Sequence, residues 1–359
     1  MNGPNIERRA RSILLGAVVA AGLMLSAPSA QAAEAITLSL GGYIHQYFFV
    51  ATQDEAAGEN INPTGMFSDT RLTFEGRTVL DNGIVVRAYA RIFADTNSQP
   101  NADEVYIEVS SSLGRLRFGE KAGVNTSMIG DPVPQAFLTV YDEVVGDALV
   151  SRTGLTLNDA FTFRRFTGNV LGVSYQAPEV FGVKLGVSYH PAIATGEGPI
   201  NNTTTAHNAF DVTAGYEGYY PGGSYRLTAG YFHSTSSTLG NDGAEAWNIS
   251  AGLTYGGWEL AGAYMNADLD GRPRETAWTV GALYGIGPLQ VSADFRTLKR
   301  RPFVGATTRE SVDRATLQTA YKLGPGISVG LAGFYAEQND GAGISSDGGG
   351  VLGGIKVGF

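Results

Sequence analysis

RLTFEGRTVLDNGIVVRAYAR, residues 71–91, decides the fold. Leu72, Phe74 and Leu80 alternate with Arg71, Thr73, Glu75 and Arg77; beyond Asp81-Asn82-Gly83, Ile84, Val86 and Ile92 alternate with Arg87, Tyr89 and Arg91. A period of two belongs to strands with one apolar and one wet face. For both apolar sets to share a side, residue numbers across the hairpin must sum to an even value. A three-residue loop with Gly83 in the left-handed conformation meets that condition. The register then sets Arg77 opposite Arg87, and Glu75 opposite Tyr89 and diagonal to Arg87 and Arg91.

The same alternation runs from Ile36 to the last residue. Val183, Leu185, Val187 and Tyr189 alternate with Lys184, Gly186, Ser188 and His190, and Leu289, Val291, Ala293 and Phe295 with Gln290, Ser292, Asp294 and Arg296. Sixteen segments are predicted, at 36–50, 70–80, 84–94, 103–111, 114–121, 163–177, 182–191, 208–218, 223–234, 245–255, 258–267, 276–286, 288–299, 311–322, 326–337 and 349–359. Connections after odd-numbered segments are long and polar; those after even-numbered segments are mostly tight, such as Pro221-Gly222-Gly223 and Gly324-Pro325-Gly326. That asymmetry fits an up-and-down antiparallel barrel spanning a membrane. A soluble sandwich shares the alternation, but its strands are shorter and its outer faces carry charge. Here many segments have bilayer-crossing length and their apolar faces end in Tyr175, Tyr189, Tyr231, Tyr255 and Tyr284. The expected fold is therefore an all-β, 16-stranded antiparallel transmembrane β-barrel, wide enough to enclose a water-filled lumen.

Composition agrees. Forty-nine glycines suit strands and turns better than helices, and the absence of cysteine removes thiol catalysis, zinc thiolate sites and disulfides. Residues 1–32 read as a secretory signal peptide: Arg8, Arg9 and Arg11 precede the apolar run Ile13–Leu25, and Ala30-Gln31-Ala32 supplies a cleavage site near Ala32. Removing them deletes three arginines and Glu7 from a chain of net charge −9, which leaves −11. Such acidity argues against nucleic acid as a partner.

One long connection, from Lys121 to about Phe163, interrupts the regular train. It mixes Met128, Val133, Phe137, Leu138, Val140, Val144 and Leu149 with Asp131, Asp142, Glu143 and Asp147. A connection of about forty residues inside a compact fold is functional or disordered. This one has the apolar content to lie against a wall, and the inside of a barrel is the wall available.

Leu38-Ser-Leu-Gly-Gly-Tyr43, the strand Arg71-Leu-Thr-Phe-Glu-Gly76 running into Asp81-Asn-Gly83, Leu116-Arg-Phe-Gly119 ahead of the long connection, and the terminal Phe359 together resemble the trimeric general porins of Gram-negative outer membranes, those of alphaproteobacteria in style. The resemblance covers residues 33–359. It implies a homotrimer in the cell outer membrane, in contact with lipid and lipopolysaccharide, and a third external loop, about 122–162, folded inward to narrow the pore. The alternation Val351, Gly353, Ile355, Val357, Phe359 looks like the carboxy-terminal signal read by the barrel-insertion machinery.

The expected function is passive diffusion of small hydrophilic solutes and ions, with no enzyme activity and no cofactor. Like charges facing each other destabilise a sheet, so the arginine pair on the wall needs a counterweight. The wall set Arg71, Glu75, Arg77, Arg87, Arg91, Arg115 and Arg117 would face Asp131, Asp142, Glu143 and Asp147 of the loop, and put a transverse field across the bore. The alternative is that these arginines pair with Glu75, Glu104 and Glu108 on neighbouring strands, as on any solvated face. The acidic loops predict a mild cation preference, and the arginine wall pulls the other way. A substrate-selective or plugged receptor barrel and a barrel enzyme such as an outer-membrane lipase are the other classes the pattern allows.

Other motifs fail their context. Gly348-x-Gly350-x-x-Gly353 opens a terminal strand and not a helix, and Gly326-Ile-Ser328-Val-Gly330 has no helix or histidine after it. Asn266-x-Asp268-x-Asp270-Gly271 begins like a calcium loop but has Ala277 at position twelve, so at most it would hold a divalent cation loosely in an external loop. The histidines, at 45, 190, 207 and 233, lack metal-ligand spacing.

Overall fold

The computed structural model describes residues 34–95, 101–130, 132–138, 144–152, 155, 162, 167–193, 198–199, 201–203, 205–236, 243–268, 274–301 and 308–359. The signal-peptide reading of residues 1–32 lies outside them. Sixteen strands close into one barrel: β1 (Thr37–Gln53), β2 (Thr64–Val79), β3 (Val85–Phe93), β4 (Asn101–Ser111), β5 (Gly114–Glu120), β6 (Leu171–Gln176), β7 (Val183–Ala192), β8 (His207–Tyr220), β9 (Gly223–Thr235), β10 (Ala244–Tyr255), β11 (Trp258–Asp268), β12 (Glu275–Ile286), β13 (Leu289–Arg300), β14 (Glu310–Gly324), β15 (Ile327–Asn339) and β16 (Ser345–Gly358). Every neighbour pairs antiparallel with the next in sequence, and β1 pairs with β16 to complete the ring. Closure leaves no sheet edge, which is what a strand structure surrounded by lipid requires. Phe359, just past β16, exchanges two backbone hydrogen bonds of 3.0 Å with Gly42 and so seals the seam.

Three boundaries differ from expectation by four residues or more. Pairing of Val50 with Thr64 carries β2 six residues earlier than predicted. β16 starts at Ser345 because its register with β15 continues to Asn339. β6 begins at Leu171, since Thr167 and Asn169 just before it are engaged in hydrogen bonds to the backbone of Gly123 and Ala122.

Parity sorts the side chains. On β10, Ile249 and Leu253 are exposed outside while Asn248 is buried inside; on β13, Val291 is exposed while Ser292, Asp294 and Arg296 are buried. A continuous exposed apolar belt of this extent is stable when lipid, not water, covers it. Aromatic pairs border the belt at two levels: Trp247 with Tyr264 and Trp278 with Phe295 toward the long connections, and Trp258 with Tyr284 and Tyr220 with Tyr255 toward the short turns. The hairpin turn between β2 and β3 is as read: Gly83 has φ +79°, its N–H donates to Leu80, and Arg77 pairs with Arg87 and Glu75 with Tyr89.

Among its described residues the connection 121–170 contains two short helices, α1 (Val124–Ile129) and α2 (Val144–Asp147). Its Phe137, Leu138, Val145, Leu149 and Leu155 form one buried cluster with Tyr47, Leu298, Val312, Ala332 and Leu352, all on the face of the wall opposite the lipid belt.

Candidate pore site

The predicted wall residues fall at two levels. Arg71 and Arg91 lie beside the base of the long connection, whereas Arg77 and Arg87 lie two residues from the β2–β3 turn ends, and Arg115 lies next to the β4–β5 turn. At the first level Arg71 donates to Asp69 at 3.1 Å and to Asp103 at 2.8 Å; Arg91 donates to Asp103 at 2.6 Å and to Glu104 at 2.7 Å. Lys121 reaches Glu104 at 2.7 Å. At the second level Arg87 pairs with Glu75 at 2.7 Å, while Glu108 serves both Arg117 at 2.6 Å and Arg115 at 3.5 Å. Arg77 is exposed. Aromatic rings fix the guanidinium planes: Arg71 sits 4.4 Å over Phe93, Arg87 4.9 Å over Tyr89 and Arg117 5.6 Å over Tyr106.

Asp103 is the centre of the upper cluster, and parity reasoning missed it. Simple alternation sends it outward beside Val105. A bulge in the β3–β4 pairing lets Arg91 face Glu104 and Ile92 face Ala102, so Asp103 has no partner and its carboxylate turns inward. It also accepts from the Asn169 side-chain amide at 2.8 Å, tying the end of the long connection to the arginines. Asp69 shares the parity of Arg71 but lies one residue before the predicted start of that strand, at 70. Among the loop acids, Asp131, Asp142 and Glu143 lie outside the described residues; Asp147 belongs to the backbone of α2, and its side chain lies outside them too.

The connection is held to the wall by uncharged side chains as much as by charges. Ser188 and Asp211 accept from the backbone N–H groups of Val124 and Asn125 at 3.0 and 2.8 Å, and Asn248 donates to the Asn125 side chain at 3.0 Å. Ser292 accepts from Ala136 N–H at 2.8 Å, and Gln318 from Phe137 and Leu138 at 3.1 and 2.7 Å. Gln53 and Val150 form a reciprocal pair at 2.6 and 3.3 Å, and Gln338 accepts from Arg152 N–H at 3.1 Å. The Phe137 ring packs against Gly330 so closely that a Cβ there would lie 2.3 Å from it; Lys356 stands 5.3 Å over the same ring. A further charged group, Asp294 with Arg296 at 2.8 Å and Gln135 at 3.1 Å, sits fully buried on β13. Sequence alternation marked Asp294 and Arg296 as polar-face residues without giving them a role.

Among the described residues no group of three or more His, Asp or Glu is arranged to hold a metal ion. Asp270 of the calcium-like stretch lies outside them.

A closed sixteen-stranded barrel with an apolar belt outside and a charged, hydrogen-bonded interior defines a membrane-spanning channel. The chain belongs to the Gram-negative porins, whose family model matches residues 17–342. It is an outer-membrane channel for passive diffusion. No curated protein sequence matches it. Among solved structures it is similar to an anion-selective porin from Comamonas acidovorans, at 16% identity and TM-score 0.63, covering 90% of this chain and 100% of that one. OmpT of Vibrio cholerae in its trimer form aligns at 13% identity and TM-score 0.62 over 91% of this chain and all of the other. Salmonella typhi OmpF in complex with daunomycin aligns at 14% identity and TM-score 0.61, over 90% and 97% of the two chains. At these identities the likeness concerns the fold.

Proposed function

We propose that the connection 121–170 lies within the bore and sets its width, so that the channel passes small hydrophilic solutes and ions and excludes larger ones. The observation that carries this reading is the chain of hydrogen bonds from the connection to inner-face side chains around the ring: Ser188 and Asp211, then Ser292, Gln318 and Gln338. The trimer form of the similar Vibrio cholerae protein supports a homotrimer here. The protein has no catalytic role in this reading and needs no cofactor.

The transverse field is part of the proposal in a modified form. Arg71, Arg87, Arg91 and Arg117 each have a strand carboxylate within 2.8 Å, so much of the wall's charge is balanced locally. Whatever Asp131, Asp142, Glu143 and Asp147 contribute is added to an already paired wall. Planar-bilayer recording tests the whole reading: large, stepwise, ohmic currents are expected, and a plugged barrel gives none. Reversal potentials under a salt gradient for Arg77→Ala, Arg87→Ala and Asp142→Ala test the field. Unchanged selectivity in all three removes it.

A further inference from the structure

Beneath α1, toward the short-turn end, the inner wall of β5–β9 encloses a cavity of about 360 Å³. Arg115, Lys184, Arg226, Gln176, Ser127 and Thr213 line it. The size is at the small end for ligand sites and fits a compact metabolite. Its charges are incompletely balanced. Glu108 is already held by Arg117 at 2.6 Å, which leaves Arg115 a loose contact of 3.5 Å. Lys184 is held by Glu217 at 2.9 Å and by Glu179, also in the lining, at 3.4 Å, and Arg226 lies directly across the ladder from Glu217. Four cations, Arg115, Arg117, Lys184 and Arg226, thus meet three carboxylates, Glu108, Glu179 and Glu217, and the excess positive charge is presented by guanidinium groups that reach in from opposite flanks, β5 and β9.

Two further observations are independent of charge. The Thr213 hydroxyl is buried in this wall, 1% exposed, with no hydrogen-bond partner. A buried hydroxyl without a partner is costly, and a ligand oxygen would relieve it. At Gly215, which also lines the space, an added Cβ would meet nothing nearer than 3.8 Å, so the wall is left open where a side chain would fit.

We propose that this cavity binds a short dicarboxylate, one carboxylate at Arg115 and the other at Arg226, with Thr213 donating to it. The site rests on the diffusion-channel reading and adds a solute class to it: dianions entering from the short-turn mouth, the periplasmic side in this architecture, are retained there. Arg77 and Arg87 near the same rim would raise their local concentration.

Succinate is the probe. Calorimetric titration of the full detergent-solubilised protein should give saturable binding that weakens about tenfold or more in Arg115→Gln/Arg226→Gln. Gly215→Leu, which fills the space without removing a charge, should abolish binding while heat-modifiable gel migration shows a folded barrel. In bilayers, succinate on the short-turn side should reduce chloride current at lower concentration than on the other side. Absent binding, or equal binding by the native protein and both variants, overturns the site even if the channel conducts. Absent current with binding retained overturns the channel reading and not the site.

Discussion

Two stretches of the inner wall solve the problem of a polar interior differently. From β2 to β5 charge is met by charge carried on the strands themselves: Arg71 with Asp69 of its own strand and Asp103 two strands away, Arg91 with Glu104, Arg87 with Glu75, Arg117 with Glu108. From β12 to β16 the polar side chains serve another segment of chain: Ser292, Gln318 and Gln338 accept from loop backbone, and Leu298, Val312, Ala332 and Leu352 give it an apolar bed. The first region is stiff because its partners are fixed to strands. The second stays in place only while the loop does, since its side chains lose their partners when the loop leaves. The expected division is that damage to the first costs the barrel stability, and damage to the second changes the channel.

The largest effect is expected at Asp103. Its side chain is 7% exposed and joins Arg71, Arg91 and Asn169. Asp103→Ala leaves two guanidinium groups short of a buried partner, and breaking such a pair costs about 3–5 kcal/mol. Equilibrium unfolding of the reconstituted protein in denaturant reads it. A loss below about 1 kcal/mol would mean that water reaches the cluster freely and that the first region is not the rigid one.

Gly330→Leu attacks the second region. The Phe137 ring occupies the space a side chain would need, 2.3 Å from an ideal Cβ. Overpacking costs about 1–3 kcal/mol, and here the loop can yield where the strand cannot. Single-channel conductance should rise and become noisier, and because the Thr319 carbonyl of the neighbouring strand also lies 2.6 Å from that Cβ, barrel unfolding should ease by no more than the overpacking cost. A drop in conductance with intact loop packing would reverse the division drawn above.

A smaller change is expected for Gln318→Ala, which removes the acceptor shared by Phe137 and Leu138 N–H. Both amides are buried, but the space that the Gln318 side chain vacates admits water, which takes over part of the hydrogen bonding, so the cost is about 1 kcal/mol. Faster gating flicker at unchanged mean conductance is the expected signature.

The sequence revealed these regions unequally, for a physical reason. Strand number, parity, the Gly83 turn and the Arg77–Arg87 pairing were legible because a period of two leaves no freedom in which face a residue takes. Asp103 was hidden because one extra residue in a strand inverts that rule, and nothing in Ala102-Asp103-Glu104 announces a bulge. The loop anchors were hidden for a different reason. Gln318, Ser292 and Ser188 look like any lumen-facing polar residue, and their partners are backbone amides more than sixty residues away in the chain.

The smallest prediction concerns the external rim, which tests whether rim order is separate from both wall regions. Between β15 and β16 the Asp340 carboxylate accepts from the backbone N–H groups of Ala342, Gly343 and Ile344 at 2.8, 3.0 and 2.8 Å. Those amides, Ala342 first and then Ile344, hold its pKa below the ordinary aspartate value. A depressed folded pKa contributes order that is present above the unfolded value and is lost as pH falls through the folded one. The turn should therefore keep slow amide exchange at Ala342 and Ile344 down to mildly acidic pH. It should lose that protection only below the usual range of an aspartate, and lose it at every pH in Asp340→Ala. Conductance should be the same in both proteins at neutral pH, because among the described residues no hydrogen bond joins the turn 340–344 to the connection 121–170. A conductance change on protonating this turn would join the rim to the loop and merge two regions that the hydrogen bonds keep apart.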